Sequence, residues 1–154
     1  MTKLIKILAI LALLIFITGC EEKPIGKITK DTYNLKSDMD QRLKTYPEVV
    51  EWYENSDSYP ESAFNLGLFY DETLKDKVSA IKWYERAYHL GSMDSTINLG
   101  IIYEDLNNYD IAIKWYLIAN SNISLTNLGI LYKKKLKDYP NAIKYYKLAI
   151  EREY

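Results

Sequence analysis

Ser79 and Lys82 stand three residues apart in the string Ser79-Ala80-Ile81-Lys82. A lysine one helical turn from a serine can take its proton and leave a nucleophilic oxygen, so the pair could begin an acyl transfer. The chain's own copies of this string argue against that. The lysine returns as Lys114 and Lys144, whereas the serine slot holds Ile111 and Asn141. A lysine that recurs without its serine reads as a solvated surface position. The only histidine, His89, falls in Ala87-Tyr88-His89-Leu90 just before Gly91, where a last helical turn favours partial positive charge. No acidic or nucleophilic partner recurs beside it for general-base work. Cys20 is the only cysteine, and one Cys with one His makes neither an internal disulfide nor a Cys/His metal site. No cofactor or metal is expected. Fifteen tyrosines and three tryptophans could line a sugar or cofactor box, but most fall in recurring slots that suit a core.

What positions these residues is a repeat. Ala80-Ile81-Lys82-Trp83-Tyr84 returns as Ala112-Ile113-Lys114-Trp115-Tyr116 and, with one aromatic exchanged, as Ala142-Ile143-Lys144-Tyr145-Tyr146. Recurrence at roughly thirty residues marks a stacked helical array. Before each copy stands a second string: Asn65-Leu66-Gly67, Asn98-Leu99-Gly100 and Asn127-Leu128-Gly129, followed by Tyr70, Tyr103 and Tyr132 three residues after the glycine. Apolar and small residues recur three and four apart, as in Leu66, Tyr70, Leu74 and in Ala80, Tyr84, Ala87, so both strings read as helices. Gly67 to Ala80 is thirteen residues, Gly100 to Ala112 twelve, and Gly129 to Ala142 thirteen. A mid-helix glycine costs about 1 kcal/mol against alanine, so three in register predict a ring of the second helix lying on the first helix's backbone. Asp76, Asn108 and Asp138, each four residues before the motif alanine, are predicted to cap the second helices. The short connections predict antiparallel pairs.

The predicted fold class is all-α, a solenoid of antiparallel helix pairs with full repeats at residues 59–91, 92–120 and 121–154. A shift of 93 residues sets Leu43-Lys44-Thr45-Tyr46-Pro47 on Leu136-Lys137-Asp138-Tyr139-Pro140, and Val49, Trp52 and Tyr53 on Ala142, Tyr145 and Tyr146. Asn34-Leu35 then falls on Asn127-Leu128, but Lys36 occupies the glycine slot and Met39 the tyrosine slot. Residues 33–58 read as a degenerate capping repeat, the polar end that a solenoid needs; a single helix from Tyr46 to Asn55 with no partner before it is the alternative. At the other end the last helix carries Tyr145, Tyr146, Leu148 and Ile150 with no polar helix after it. Either another molecule covers its outer face, including a second copy, or the exposed face is smaller than the pattern suggests.

The chain has 20 Lys and Arg against 21 Asp and Glu, and without Lys3 and Lys6 the balance is 18 against 21. No concentrated basic face stands out, which argues against a nucleic-acid partner. Lys3 and Lys6, the nearly unbroken apolar residues 4–17 and the small Thr18-Gly19 describe a secretory signal over residues 1–19. The apolar run is shorter than the roughly 18–20 residues of a spanning helix. Ile17-Thr18-Gly19-Cys20 resembles the bacterial lipobox. That resemblance implies that Cys20 is lipidated and becomes the N-terminus, and several acyl chains exceed the two-signal threshold for stable anchoring. It implies a cell-envelope protein held in the membrane by Cys20. Glu21 stands where the inner-membrane retention signal has Asp, which favours the outer membrane in a host with two. Residues 20–32, with Pro24 and Gly26, read as a tether.

Trp83-Tyr84-Glu85-Arg86-Ala87, Leu90-Gly91 and Asn98-Leu99-Gly100-Ile101-Ile102-Tyr103 resemble the Sel-one-like repeat, a close relative of the tetratricopeptide repeat. The third unit departs from it. Ala119 to Leu128 is nine residues where Ala87 to Leu99 is twelve, which shortens the turn over residues 120–124 and removes the family's glycine, so this unit is equally tetratricopeptide-like. Both families imply a right-handed superhelix that binds a protein or peptide on its concave surface. Carried over unit by unit, the resemblance implies that Asn65, Asn98 and Asn127 hydrogen-bond an extended backbone between Phe64 and Leu68, Ile97 and Ile101, and Thr126 and Ile130. The asparagines could equally bridge neighbouring repeats. The basic clamp for a C-terminal carboxylate is not evident, because Glu61, Asp71, Asp94 and Glu104 lie nearby with only Lys133 opposite in sign. Some cysteine-rich Sel-one-like proteins act on β-lactams, and Ser79-x-x-Lys82 fits that chemistry, but they carry a disulfide in each repeat. Three readings follow: a membrane-anchored, non-catalytic interaction scaffold, a β-lactam-directed enzyme, and a self-associating structural lipoprotein joined through its C-terminal helix.

Overall fold

The computed structural model describes residues 39–152. The signal and lipidation calls at residues 1–20, the tether, and Asn34, Leu35 and Lys36 of the capping repeat lie outside the described residues. Within them, seven α-helices follow one another and no strand occurs. They are α1 (Pro47–Asn55), α2 (Pro60–Leu68), α3 (Lys77–His89), α4 (Asp94–Asp105), α5 (Tyr109–Ala119), α6 (Asn122–Leu131) and α7 (Tyr139–Glu151). A 3₁₀ turn, Gln41–Thr45, precedes α1. Proline opens α1 and α2, where its missing N–H would have had no partner in any case.

The closest packing is within the pairs α2–α3, α4–α5 and α6–α7, and each pair also meets the next through α1–α2, α3–α4 and α5–α6. The array is therefore a repeat solenoid in which each unit touches its neighbours. Inside each pair the ring of the second helix lies on the glycine of the first. A Cβ on Gly67 would meet Tyr84 Cδ1 at 2.5 Å, one on Gly129 would meet Tyr146 at 2.5 Å, and one on Gly100 would be closer still to Tyr116. Tyr84 and Tyr116 are buried, with Ala80, Ala87 and Ala112 beside them. The predicted lock is formed three times.

The unequal thirteen and twelve residue offsets have a structural counterpart. Each first helix stops at a left-handed residue five positions before the motif alanine: Lys75, Asn107 and Lys137, with φ of 54°, 58° and 57°. In the first and third units the extra residue is taken up as a π-helical turn, Phe69–Thr73 and Tyr132–Leu136, closed in the first by Leu74 N–H donating to the Phe69 carbonyl at 3.1 Å. The second unit, one residue shorter, stays α-helical to Asp105. Asp76 then accepts from the Ser79 N–H and Asp138 from the Asn141 N–H, each at 3.1 Å. Asn108 occupies the N-cap position without a side-chain capping bond, contrary to the cap predicted for it; a neutral amide oxygen is a weaker acceptor than a carboxylate.

Successive units are tied by side chains one repeat apart. Arg42 joins Asp76 at 2.8 Å, Tyr70 donates to Asp40 at 3.0 Å, Lys77 joins Asp105 at 2.5 Å, and Arg86 reaches Asp57 at 2.8 Å. These partners are 28 to 34 residues apart. Between units, Gly91 at φ 107° lets the Ser92 N–H turn back to the Ala87 carbonyl at 2.9 Å, a helix-ending motif that glycine adopts at low cost. In the third unit Asn120 takes the left-handed conformation at φ 43°. Ser121 and Ser124 close a reciprocal capping box there, so α6 begins inside the stretch expected to be turn.

Candidate protein-binding face

The first helices carry the nine residues that the family resemblance implies, and the structure treats them unequally. Asn65 and Leu68, three residues apart on α2, line a cleft of about 190 Å³ together with Trp52 of α1 and Phe69, Glu72 and Thr73 of the π-helical turn that follows α2. Phe64 points elsewhere: its ring lies 5.6 Å from that of Tyr84, and it borders a second hollow of about 280 Å³ with Pro60, Glu61 and the turn from Gly91 to Asp94. The Asn98 amide faces the Tyr84 hydroxyl as a hydrogen-bond donor, bridging one unit to the next. The Thr126 hydroxyl donates to the Asn122 carbonyl of its own helix at 2.9 Å. Ile101 is exposed, while Ile97, Asn127 and Ile130 are half-buried. Of the nine, the cleft brings together Asn65 and Leu68.

Trp52, Phe69 and Glu72 were not among the predicted residues, and the repeat explains why. Trp52 stands in the slot of Trp83, Trp115 and Tyr145, and Phe69 in that of Ile102 and Leu131. All of those interior residues are buried. Trp83 packs on Tyr53 and Trp115 on Tyr88, each an aromatic from the preceding second helix, at 5.9 and 5.3 Å. No second helix precedes α1 among the described residues, and Trp52 and Phe69 are half-buried. A core slot in the interior units becomes a lining residue in the first.

The surroundings of this face are acidic. Burial raises the Asp71 carboxyl above its ordinary range, with Lys77 acting the other way and Asp105 reinforcing the rise. Tyr84 and Tyr116 are pushed up by burial, Tyr84 further by the charge of Asp71 and Tyr116 by Glu104, whose Oε2 accepts its hydroxyl at 3.3 Å. Asp40 is held down at about 2 by its bond to Arg42, which also pairs with Asp76.

The Ser79 hydroxyl donates to Asp76 Oδ2 at 2.9 Å, and that carboxylate is kept below the ordinary range by Arg42 and by the Ser79 N–H. Ser79 is thus occupied in capping α3, and Lys82 is exposed. His89 lies in the last turn of α3 with its ring 5.3 Å from Tyr88. Among the described residues no group of His, Cys, Asp and Glu is placed to hold a metal ion, and no helix is long and apolar enough to cross a membrane.

Residues 60–92 match the Sel1 repeat, and residues 95–119 and 124–153 match the tetratricopeptide repeat. No curated protein matches the sequence. Among solved structures, MamA is 24% identical with a TM-score of 0.59, the match covering 68% of this chain and 66% of that one, just under two thirds of its length. The immunity protein Pa5087 from Pseudomonas aeruginosa is 20% identical with a TM-score of 0.49, covering 61% of this chain and 40% of that one. The likeness to MamA is one of fold.

Proposed function

We propose that this chain, a Sel1-like and tetratricopeptide-like helical-repeat protein, is a lipid-anchored scaffold of a bacterial cell envelope that holds another protein on its first helices and performs no chemistry itself. Repeats of these kinds make protein-interaction scaffolds. The cleft between Trp52 and Leu68 is the observation that carries the reading. At about 190 Å³ it is below the roughly 300–1,000 Å³ of small-molecule pockets and suits a single side chain of a larger partner. Trp52, Leu68 and Phe69 supply apolar walls, Asn65 an amide for a backbone group, and Glu72 a carboxylate at the rim. An apolar side chain with a basic neighbour fits that combination. The commitment of Ser79 to Asp76 supports the non-catalytic reading over the β-lactam-directed one. Anchoring rests on Cys20 in its lipobox-like setting, which supports an envelope location and favours the outer membrane where the host has two.

Full-length chain recovered from envelope extracts tests the face. Asn65→Ala/Asn98→Ala/Asn127→Ala should weaken retention of the partner, and Leu68→Asp should abolish it. A partner held equally by wild type and both variants would place the binding surface elsewhere. Covalent labelling by a β-lactam probe that Ser79→Ala removes would favour the enzyme instead. Self-association through the C-terminal helix is a second reading, favoured by the exposure of Tyr139, Ile143 and Ile150 along α7.

A further inference from the structure

The first and last described helices, α1 and α7, carry unlike surfaces that complement each other. Tyr109 and Ile113 of α5 are partly buried against a cluster that joins Ala112 and Tyr116 of their own helix to Leu125, Leu128 and Leu131 of α6 and Tyr145 of α7. On α7 the same slots hold Tyr139 and Ile143, which are 57% and 56% exposed, and Ile150 continues the stripe at 58%. On α1, Trp52 holds the slot in which Trp83 and Trp115 receive Tyr53 and Tyr88 of the preceding second helix, and it lines an open cleft. One end carries a stripe shaped like the side of a unit that meets its successor. The other carries the aromatic slot that meets a predecessor.

Charge distinguishes between ways of joining these ends. Residues 39–72 carry eight Asp and Glu against two Lys and Arg, whereas residues 122–152 carry two against seven. The near-neutral total conceals a gradient along the array. Lys144 and Lys147 accompany the stripe on α7, Glu48 and Glu51 accompany Trp52 on α1, and all four are exposed. Two α7 stripes packed on each other would bring both sets of lysines together, with Lys133, Lys134 and Lys135 close behind. Stripe against cleft brings opposite charges together.

We propose that the occupant of the Trp52 cleft is the α7 stripe of a second copy of this chain, so that copies join head to tail. This rests on reading the cleft as a protein-binding surface and names its partner. Apolar side chains of α7 enter between Trp52, Leu68 and Phe69, while Lys144 and Lys147 face Glu48, Glu51 and Glu72. The contact is heterologous: it extends the array from copy to copy until the geometry closes a ring or the supply of chains ends.

Full-length chain carrying a photo-reactive phenylalanine analogue in place of Ile143, irradiated in the membrane that holds it, tests the pairing. The expected product is a covalent dimer whose second chain is attached within α1 or α2. Lys144→Glu/Lys147→Glu should lower its yield about tenfold, and co-expression with a Glu48→Lys/Glu51→Lys chain should restore it. Restoration by opposite charges excludes misfolding as the cause of the loss. Attachment to α7 of the second copy would overturn the head-to-tail polarity while leaving self-association in place. Attachment within the same chain, attachment to another protein, or no adduct would overturn the second copy as occupant. In those cases the loss of partner retention by Leu68→Asp still decides whether the cleft binds a protein at all.

Discussion

Gly67 lies against the ring of Tyr84, so that a methyl group on the glycine would sit 2.5 Å from Cδ1 and 2.6 Å from Cε1. Tyr84 is fully buried, and a ring held on all sides cannot withdraw cheaply. Gly67→Ala gains about 1 kcal/mol of helix propensity but overpacks the pair at a typical cost of about 1–3 kcal/mol. The expected net effect is a loss of stability, read as a lower urea midpoint. Gly67→Ala/Tyr84→Leu should recover part of it. A single variant as stable as wild type would mean that the ring is not fixed as described.

The extra residue of the first unit gives a second prediction. Deleting Thr73, exposed in the π-helical turn, converts the thirteen-residue offset into the twelve that the second unit already uses with an unbroken α-helix. The deletion should leave the helical content and the melting midpoint nearly unchanged. Deleting Glu104 from the second unit has no such slack to use, and it should lower the midpoint clearly. Equal losses from the two deletions would contradict the π-turn as the place where the extra residue is absorbed.

The glycine lock was legible in the sequence because the same slot appeared three times, so Gly67, Gly100 and Gly129 could be set against Tyr84, Tyr116 and Tyr146; the π-helical turns were not, because offsets of thirteen and twelve residues look alike at the level of slots. That same repetition hid the cleft. Slot logic gives Trp52 the environment of Trp115 and Phe69 that of Ile102, but among the described residues no second helix precedes α1, and both side chains are only half-buried. Likewise the recurring asparagines suggested one shared role, whereas the Asn98 amide faces Tyr84 and Asn65 lines an opening. Repetition reveals what units have in common and conceals what position in the array does to each. Asn108 is a smaller case: its place was right, and the capping bond was not formed.

Cys20 carries a third prediction. If its thiol receives the acyl chains implied by Ile17-Thr18-Gly19-Cys20, Cys20→Ser should abolish incorporation of labelled palmitate, because that cysteine is the only one in the chain. Palmitate labelling that survives the substitution would remove the lipidation reading.

Glu85 supplies a prediction whose sign can be worked out. Burial raises its carboxyl above the ordinary glutamate value of 4.5, so between that value and the folded one the native state binds more protons than the unfolded chain. Stability attributable to this group therefore falls as pH rises through the interval, and at neutral pH the ionised carboxylate is a standing penalty. Glu85→Gln should raise the unfolding midpoint at pH 7, and the gain should shrink toward zero below pH 4.5. Asp40 runs the other way. Held at about 2 by Arg42, it stabilises the fold above the ordinary aspartate value of 3.8 and loses that contribution as pH falls toward 2. Asp40→Asn should therefore destabilise at neutral pH and matter least in strong acid. Midpoints measured across pH for the two variants should differ from wild type in opposite directions at pH 7 and converge on it in acid. A destabilised Glu85→Gln protein at pH 7 would mean that the carboxylate has a native partner outweighing its burial.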